Sequence, residues 1–542
     1  MSNVESERPM VRSNTGVELV PRPSDSPLDP LNWPQWKKEL AFASLVLGSA
    51  VIGILKTVLV TVNGVIATEF NCSYMAATAL TGLPLIIGAF SGLGSTVVAQ
   101  KLGKRGVYLA SSVLLLAGAI WNMHVGQSYA QFIVARCFQG VAWGAFESLV
   151  LTSFEDMFFM KVHQRHRHVV MFNISNIFFT WGTPILGGYL SQDSQGFRKQ
   201  LMAINIIQAF SIVLLIFATP ETTFSRSSTF PSTSQSPVAV PSAGKGKFKS
   251  YLSTLRFTIP SYSHSNKSLT RPLRVLAAPS TILTFLLTAP PTATALALAS
   301  SLSLLFSSMP TFLFPARIGY LFIGPLILSL LLYTASSFMI SFPRAAFASM
   351  SRSKQASGSK QAQARRHPNP LLIAIPSLIL AFAGTLAFGL YTYANLTSTT
   401  RAKDSQFTVY VQGQDLDLRI VSLLFGFLVA GSVLVNGAGG SLLTPTSTLT
   451  STPTSKVTSK QQQDDEDDDE LEGYHEDENL GNAQQTAHKS LQDLLTGIFI
   501  TATPLWLQSG KGANMLAGLK NTAIALAVLQ VVLGFSVVAA LW

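Results

Sequence analysis

From Glu39 to Trp542 the chain alternates long apolar stretches with short polar gaps, and twelve of the stretches are long enough to cross a bilayer. A span needs about twenty mostly apolar residues, because in hydrocarbon every backbone polar group has to be paired inside the segment. The expected spans cover about 40–68, 79–99, 107–125, 129–153, 168–190 and 201–219, then 279–307, 316–342, 370–395, 418–438, 489–508 and 518–541. Only 12% of residues are charged, half the share usual in soluble domains. The fold class expected is an all-α integral membrane protein of two six-helix halves.

A net charge of +11 would suit nucleic acid if it formed one stripe. Here Lys and Arg gather instead in the gaps after spans 2, 4, 6 and 8: Lys101, Lys104 and Arg105; Lys161, Arg165 and Arg167; a scatter from Arg226 to Arg274; and Arg344 to Arg366. Basic residues are retained on the cytosolic side of short loops, so both termini are expected in the cytosol, and no nucleic-acid partner is expected. The sequons at Asn71 and Asn395 then fall in outer gaps and are glycosylation candidates.

Residues 1–38, broken by Pro21, Pro23, Pro27, Pro30 and Pro34, read as a disordered cytosolic tail. The amino-terminal half is 39–224. A Ser, Pro and Lys-rich linker at 225–275 leads to the carboxy-terminal half at 276–542, which carries expected disordered inserts at 343–369 and 439–488. The second insert ends in an acidic run from Asp464 to Glu478 and includes His475, which reads as part of a solvated loop. His163, His166 and His168 stand among Lys161, Arg165 and Arg167, which suits a basic loop and opposes a metal site. Cys72 and Cys137 lie at depths that do not suit a mutual disulfide.

Charge inside the spans is the sharper signal, since it is expensive in hydrocarbon unless it meets a partner or water. Lys56 lies in span 1, and Arg136 and Glu147 in span 4. The latter two share a helix face but stand about 16 Å apart along it, too far to pair. Lys56 and Asn63, seven apart, share a face of span 1. Asn173, Asn176, Thr180 and Pro184 form a stripe on span 5, with Asn205 and Gln208 in span 6; these line a path or join helices. Trp143, Phe179 and Trp181 either pack or offer faces to a cation. Spans 7–12 are almost free of ionisable groups at their centres, their polar content being Thr288, Tyr333, Tyr391 and Asn436. Charge-based recognition is therefore expected mainly from the amino-terminal half.

Several motifs resemble one family. Arg136-Cys137-Phe138-Gln139-Gly140, with Gly144, is similar to the R-x-x-Q-G motif of the major facilitator superfamily. Gly182-Thr183-Pro184-Ile185-Leu186-Gly187-Gly188 resembles the G-x-P-x-x-G-G motif of its drug:proton antiporter branch, and Pro220-Glu221-Thr222-Thr223 and Asp29-Pro30-Leu31-Asn32-Trp33 resemble fungal members of that branch. In the loop after span 2 the family pattern G-x-x-x-D-R-x-G-R-K/R is met by Lys101, Gly103, Lys104 and Arg105, but Thr96 and Gln100 stand at its Gly and Asp positions. The resemblance implies a gating lock at this loop, which Gln100 weakens by removing a charge.

The resemblance also implies that helices 1 and 4 are neighbours lining a central cavity, which would pair Lys56 with Glu147. It implies alternating-access transport of a small organic solute, a drug, polyamine or other organic cation, coupled to protons. Alternatives are a proton-independent uniporter and a non-transporting nutrient sensor on the same scaffold, for which the long loops argue. The chain has no Walker A loop, zinc motif or nucleophile elbow, so neither an enzyme activity nor a cofactor is expected. A monomer in the plasma membrane is expected, with the vacuolar membrane as the other location.

Overall fold

The computed structural model describes residues 29–159, 163–192, 196–224, 274–308, 311–341, 371–397, 399–403, 408–412, 416–443, 463–509 and 515–541. The amino-terminal tail up to residue 28, the linker at 225–273 and the expected insert at 343–369 lie outside them.

The amino-terminal half comprises α1 (Gln35–Thr57), α2 (Asn63–Glu69), α3 (Tyr74–Leu102), α4 (Lys104–Met123), α5 (Tyr129–Met157), α6 (His163–Leu190) and α7 (Phe197–Ala218). The carboxy-terminal half comprises α8 (Pro279–Phe306), α9 (Pro315–Tyr320), α10 (Ile323–Ser341), α11 (Leu371–Thr397), α12 (Leu418–Leu443), α13 (Gln463–Gln508) and α14 (Met515–Leu541). A hairpin, Thr399–Lys403 paired antiparallel with Thr408–Gln412, joins α11 to α12. Local chemistry sets several ends. Ser73 and Ser128 cap α3 and α5 by accepting hydrogen bonds from the amides of Ala76 and Gln131. Gly103, at φ +82°, makes the sharp turn from α3 to α4 that a side chain would strain.

Among the described residues ten helices are long and apolar enough to cross a membrane. The expected fourth and eleventh spans, α5 and the end of α13, fall outside that set, and both carry ionisable groups into the bundle, as α1 does with Lys56. Large apolar side chains such as Phe90, Leu186, Phe210 and Met339 point outward, over half exposed, the inverse of a water-soluble surface and what lipid requires.

Two spans expected as single helices are broken. Span 1 stops at Thr57 and resumes at Asn63 across Val58-Leu59-Val60-Thr61-Val62, where β-branched Val58, Val60, Thr61 and Val62 gain little from helix. Lys56 and Asn63 therefore do not share a helix face: Asn63 turns to the other half and donates to the Ser300 carbonyl at 2.8 Å. Span 8 breaks between α9 and α10, just before Gly324-Pro325. Pro325 has no N–H to give the carbonyl of Leu321, four residues back, and the Ser422 hydroxyl on α12 donates to that carbonyl at 3.0 Å.

The insert expected to be disordered over 439–488 is partly helical. The α12 helix runs on to Leu443 and α13 starts at Gln463, well before the expected start of span 11 at 489. The acidic run 464–478 thus has a helical backbone, which its polar composition concealed.

The halves meet closely at the end of the bundle that carries the α2–α3 turn. Besides Asn63, the Gly64 amide donates to Ser303 Oγ at 3.0 Å, and α6 lies against α9, where Gly188 abuts the backbone of Pro315 and Ala316. A cavity of about 340 Å³ lined by Thr61, Val65, Ser303, Ser307, Phe314 and Ile318, among others, lies at this end, away from the buried charges.

Candidate functional site: a buried four-charge cluster between the halves

Lys56, near the end of α1, forms an ion pair with Glu147 of α5. The pair is not alone. Lys56 Nζ is 3.2 Å from Asp493 Oδ1 of α13, and Lys489, one helical turn before Asp493, lies 3.5 Å from both Glu147 Oε2 and Asp493 Oδ1. Two ammoniums and two carboxylates so form a cluster of zero net charge at the seam between the halves. The side chains of Lys56, Glu147 and Asp493 are nearly buried, and that of Lys489 is a third exposed. Glu147 Oε2 is buried yet accepts no hydrogen bond within the described residues. Among the described residues its ion-pair partner is the Lys489 ammonium, held without a hydrogen bond.

This corrects the expectation that charge comes mainly from the amino-terminal half, since half the cluster belongs to α13. Lys489 and Asp493 fall in the first turn of the expected eleventh span, where a polar residue reads as a helix end. Because α13 begins much earlier, they sit within a continuous helix at the level of Lys56. The sole signal in sequence was the i,i+4 spacing of Lys489 and Asp493. Beside the cluster, Gln492 Nε2 donates to Thr292 Oγ1 at 2.8 Å and to Asn436 Oδ1 at 3.3 Å, and His488 Nε2 is 2.7 Å from Thr288 Oγ1.

Arg136 and Gln139 are placed apart from the cluster, in a clamp. The Arg136 guanidinium, 0% exposed, donates to the carbonyls of Leu80 and Leu55 at 2.9 and 3.1 Å and to Gln139 Oε1 at 3.1 Å. Both carbonyls are vacant for a reason. Pro84 denies Leu80 its helical donor, and Leu55 lies in the last turn of α1, where carbonyls lack intrahelical partners. Gly140 lets the backbone of Pro84 approach: a Cβ there would come within 2.7 Å of the Pro84 carbonyl. Asn122 of α4 donates to the same Gln139 oxygen at 2.9 Å. Trp143 is buried with its ring 5.7 Å from the Arg136 guanidinium, and Trp181 packs on Phe322 and Phe425.

The polar stripe of α6 joins helices. Asn173 donates to the Tyr333 hydroxyl of α10 at 2.7 Å, and Asn176 accepts from Ser49 of α1 at 3.2 Å. Asn205 donates to the Ala119 carbonyl, while the buried Gln208 amide has no hydrogen-bond partner within the described residues. Of the G-x-P-x-x-G-G glycines, Gly187 packs on Gln200 and Gly188 on Pro315, whereas a Cβ on Gly182 would have its nearest neighbour 3.8 Å away. The Pro184 carbonyl lies 2.8 Å from where Gly319 would carry a Cβ.

The α3–α4 motif is held inside the amino-terminal half. Glu221, just past α7, accepts from the amides of Lys104 and Arg105 at 3.0 and 3.1 Å, capping α4 where its dipole favours an anion. Lys104 Nζ binds Asp156 at 2.6 Å and Arg105 donates to the Ile216 carbonyl at 3.1 Å; Lys101 is exposed. Glu221→Ala leaves the Arg105 amide uncapped and the Lys104 amide with only the Thr223 hydroxyl at 3.3 Å, and is expected to cost about 1–2 kcal/mol, read as a lower unfolding temperature of the purified protein; an unchanged temperature would show that water replaces the carboxylate.

Elsewhere, Arg165 pairs with Glu155 and His168 with Glu39. No cluster of three metal-ligating side chains occurs among the described residues, and both cysteines are free. Asn71 ends the α2 turn with φ +46°. Asn395 is half-buried in the last turns of α11 and donates to the Tyr391 carbonyl.

A profile of the Major Facilitator Superfamily matches residues 45–444, most of the chain. The chain belongs to this superfamily. It is 29% identical over 222 residues to a Schizosaccharomyces pombe protein described as an uncharacterized MFS-type transporter, C1271.10c, and 26% identical over 220 residues to the Saccharomyces cerevisiae protein HOL1. Each alignment takes in 41% of this chain and 37% of the relative, so the chain matches well under half the length of these relatives. Among solved structures it resembles a POT family transporter in complex with 5-aminolevulinic acid, at 12% identity and TM-score 0.57 over 94% of this chain and 100% of that one. The human organic anion transporter MFSD10 gives 13% identity and TM-score 0.54 over 93% and 100%. At such identities the likeness carries the fold alone.

Proposed function

We propose that this superfamily member is a secondary transporter that exchanges a small organic cation for a proton by alternating access, through a site centred on Glu147. The observation that carries the reading is the Glu147 carboxylate, buried at the seam of the halves, flanked by two ammoniums and with one oxygen accepting no hydrogen bond. A buried carboxylate in that position can hold a proton or a solute ammonium, and binding one expels the other. The drug:proton antiporter motif in α6, both termini in the cytosol and a plasma-membrane location are part of the same reading.

The test is flux of labelled polyamines and monovalent organic-cation drugs into proteoliposomes, with and without an imposed pH gradient. Wild type is expected to show gradient-driven flux and Glu147→Gln a loss of about a hundredfold or more in the driven component, the usual scale for removing a proton-transfer group. Flux indifferent to both pH and Glu147→Gln would make the protein a uniporter. No flux of any probe, with signalling lost on trimming the long loops, would favour a sensor.

A further inference from the structure

The four charges divide in a particular way. The amino-terminal half owns Lys56 and Glu147, and the carboxy-terminal half owns Lys489 and Asp493. Each half is therefore neutral at this level by itself. Where the halves touch, two further contacts cross the seam, Lys56 to Asp493 at 3.2 Å and Lys489 to Glu147 at 3.5 Å. A lone charge left in a membrane-buried seam is costly, while one that keeps an opposite partner is not.

We infer that Lys489 and Asp493 complete the solute and proton site, and that the four charges re-pair within each half when the halves part. The inference rests on Glu147 being the coupling carboxylate, and adds that α13 supplies the second carboxylate and the second ammonium. In the closed seam each carboxylate meets two ammoniums. On opening, Lys56 stays with Glu147 and Lys489 with Asp493, so the cross-seam contacts are lost without stranding a charge. An arriving organic cation meets two carboxylates, one on each half, and bridges them. The polar shell of Gln492, Asn436 and Thr292 lies on the same side of α13 and supplies neutral hydrogen-bonding groups next to that bridge.

The consequence is a rule about pairs. Removing both charges of one half, Lys56→Gln with Glu147→Gln, leaves the other half neutral. Removing one charge from each half, Lys56→Gln with Asp493→Asn, leaves Glu147 and Lys489 as a pair that opening must pull apart. Both doubles are neutral when closed, so both are expected to unfold close to the wild-type temperature. They should differ only in opening.

Opening can be read without a solute, from alkylation of a Ser490→Cys thiol in a Cys72→Ser, Cys137→Ser background. Ser490 is buried where α13 faces Gly92 of α3, on the seam. The same-half double is expected to react within about twofold of the protein with all four charges, and the cross-half double about tenfold more slowly, or less, given Coulomb attraction across a low-dielectric gap. Equal rates for the two doubles, or a thiol that never reacts with all four charges present, would overturn the inference. Failure of the transport reading would show separately, as driven flux that survives Glu147→Gln.

Discussion

Arg136→Leu is expected to cost about 3–5 kcal/mol, the scale for deleting one member of a buried, charge-assisted hydrogen-bond network, and a protein with an ordinary margin of 5–15 kcal/mol would lose much of its folded population. The expectation follows from what the guanidinium does. It satisfies the Leu80 carbonyl that Pro84 vacates and the Leu55 carbonyl at the end of α1, and it fixes Gln139. Leucine fills the space and leaves the Leu80 and Leu55 carbonyls dry, while Gln139 Oε1 keeps only its bond from Asn122. Arg136→Lys keeps the charge, but one ammonium lacks the planar fork that reaches several acceptors at once, so an intermediate loss is expected. The measurement is thermal unfolding of purified protein, with the monodisperse fraction in detergent as a second readout. A melting temperature for Arg136→Leu within a degree or two of wild type would mean that the clamp is dispensable.

The second large effect separates two glycines of one motif. Gly188→Ala puts a Cβ against the Pro315 carbonyl and within 3.3 Å of Ala316 Cα, both backbone atoms that cannot swing aside. Overpacking of this kind costs about 1–3 kcal/mol. Because α6 and α9 belong to different halves, the strain acts on their closure at this end, and a thiol introduced as Ser307→Cys, half-buried there, is expected to alkylate about tenfold faster. Gly182→Ala, whose Cβ would meet only the Leu326 side chain at an ordinary 3.8 Å, should leave both labelling and unfolding unchanged. If the two substitutions behave alike, the α6–α9 contact does not control closure.

How far the sequence reached depends on what kind of information a residue carries. Lys56 and Glu147 could be joined from sequence because a charge in an apolar helix demands a partner, and the family resemblance supplied which helices are neighbours. Lys489 and Asp493 escaped because the acidic run before them merges into α13, so the helix start was hidden inside a polar stretch. The break at Val58–Val62 escaped for the opposite reason: its residues are as apolar as the helix on either side, and hydropathy does not register a missing hydrogen bond. The clamp could not be read either. Leu55 and Leu80 accept through backbone carbonyls, which no side-chain identity announces. Gly319 and Gly324-Pro325 were visible as letters, but their partners, the Pro184 carbonyl and Ser422, were not.

The carbonyls vacated by proline have a consequence for recombination. In each half a proline frees a carbonyl on one helix and a side chain from another helix fills it: Pro84 and Leu80 on α3 with Arg136 on α5, Pro325 and Leu321 at the α9–α10 break with Ser422 on α12. The helix with the defect and the helix with the remedy are therefore one cassette, although a further helix lies between them in the chain. A chimera with another transporter that places a crossover between α3 and α5, or between α9 and α12, inherits a dry carbonyl unless the donor at the matching depth travels with it. Crossovers in the linker between the halves carry no such debt, and the order in which parts can be exchanged is thus written in the prolines.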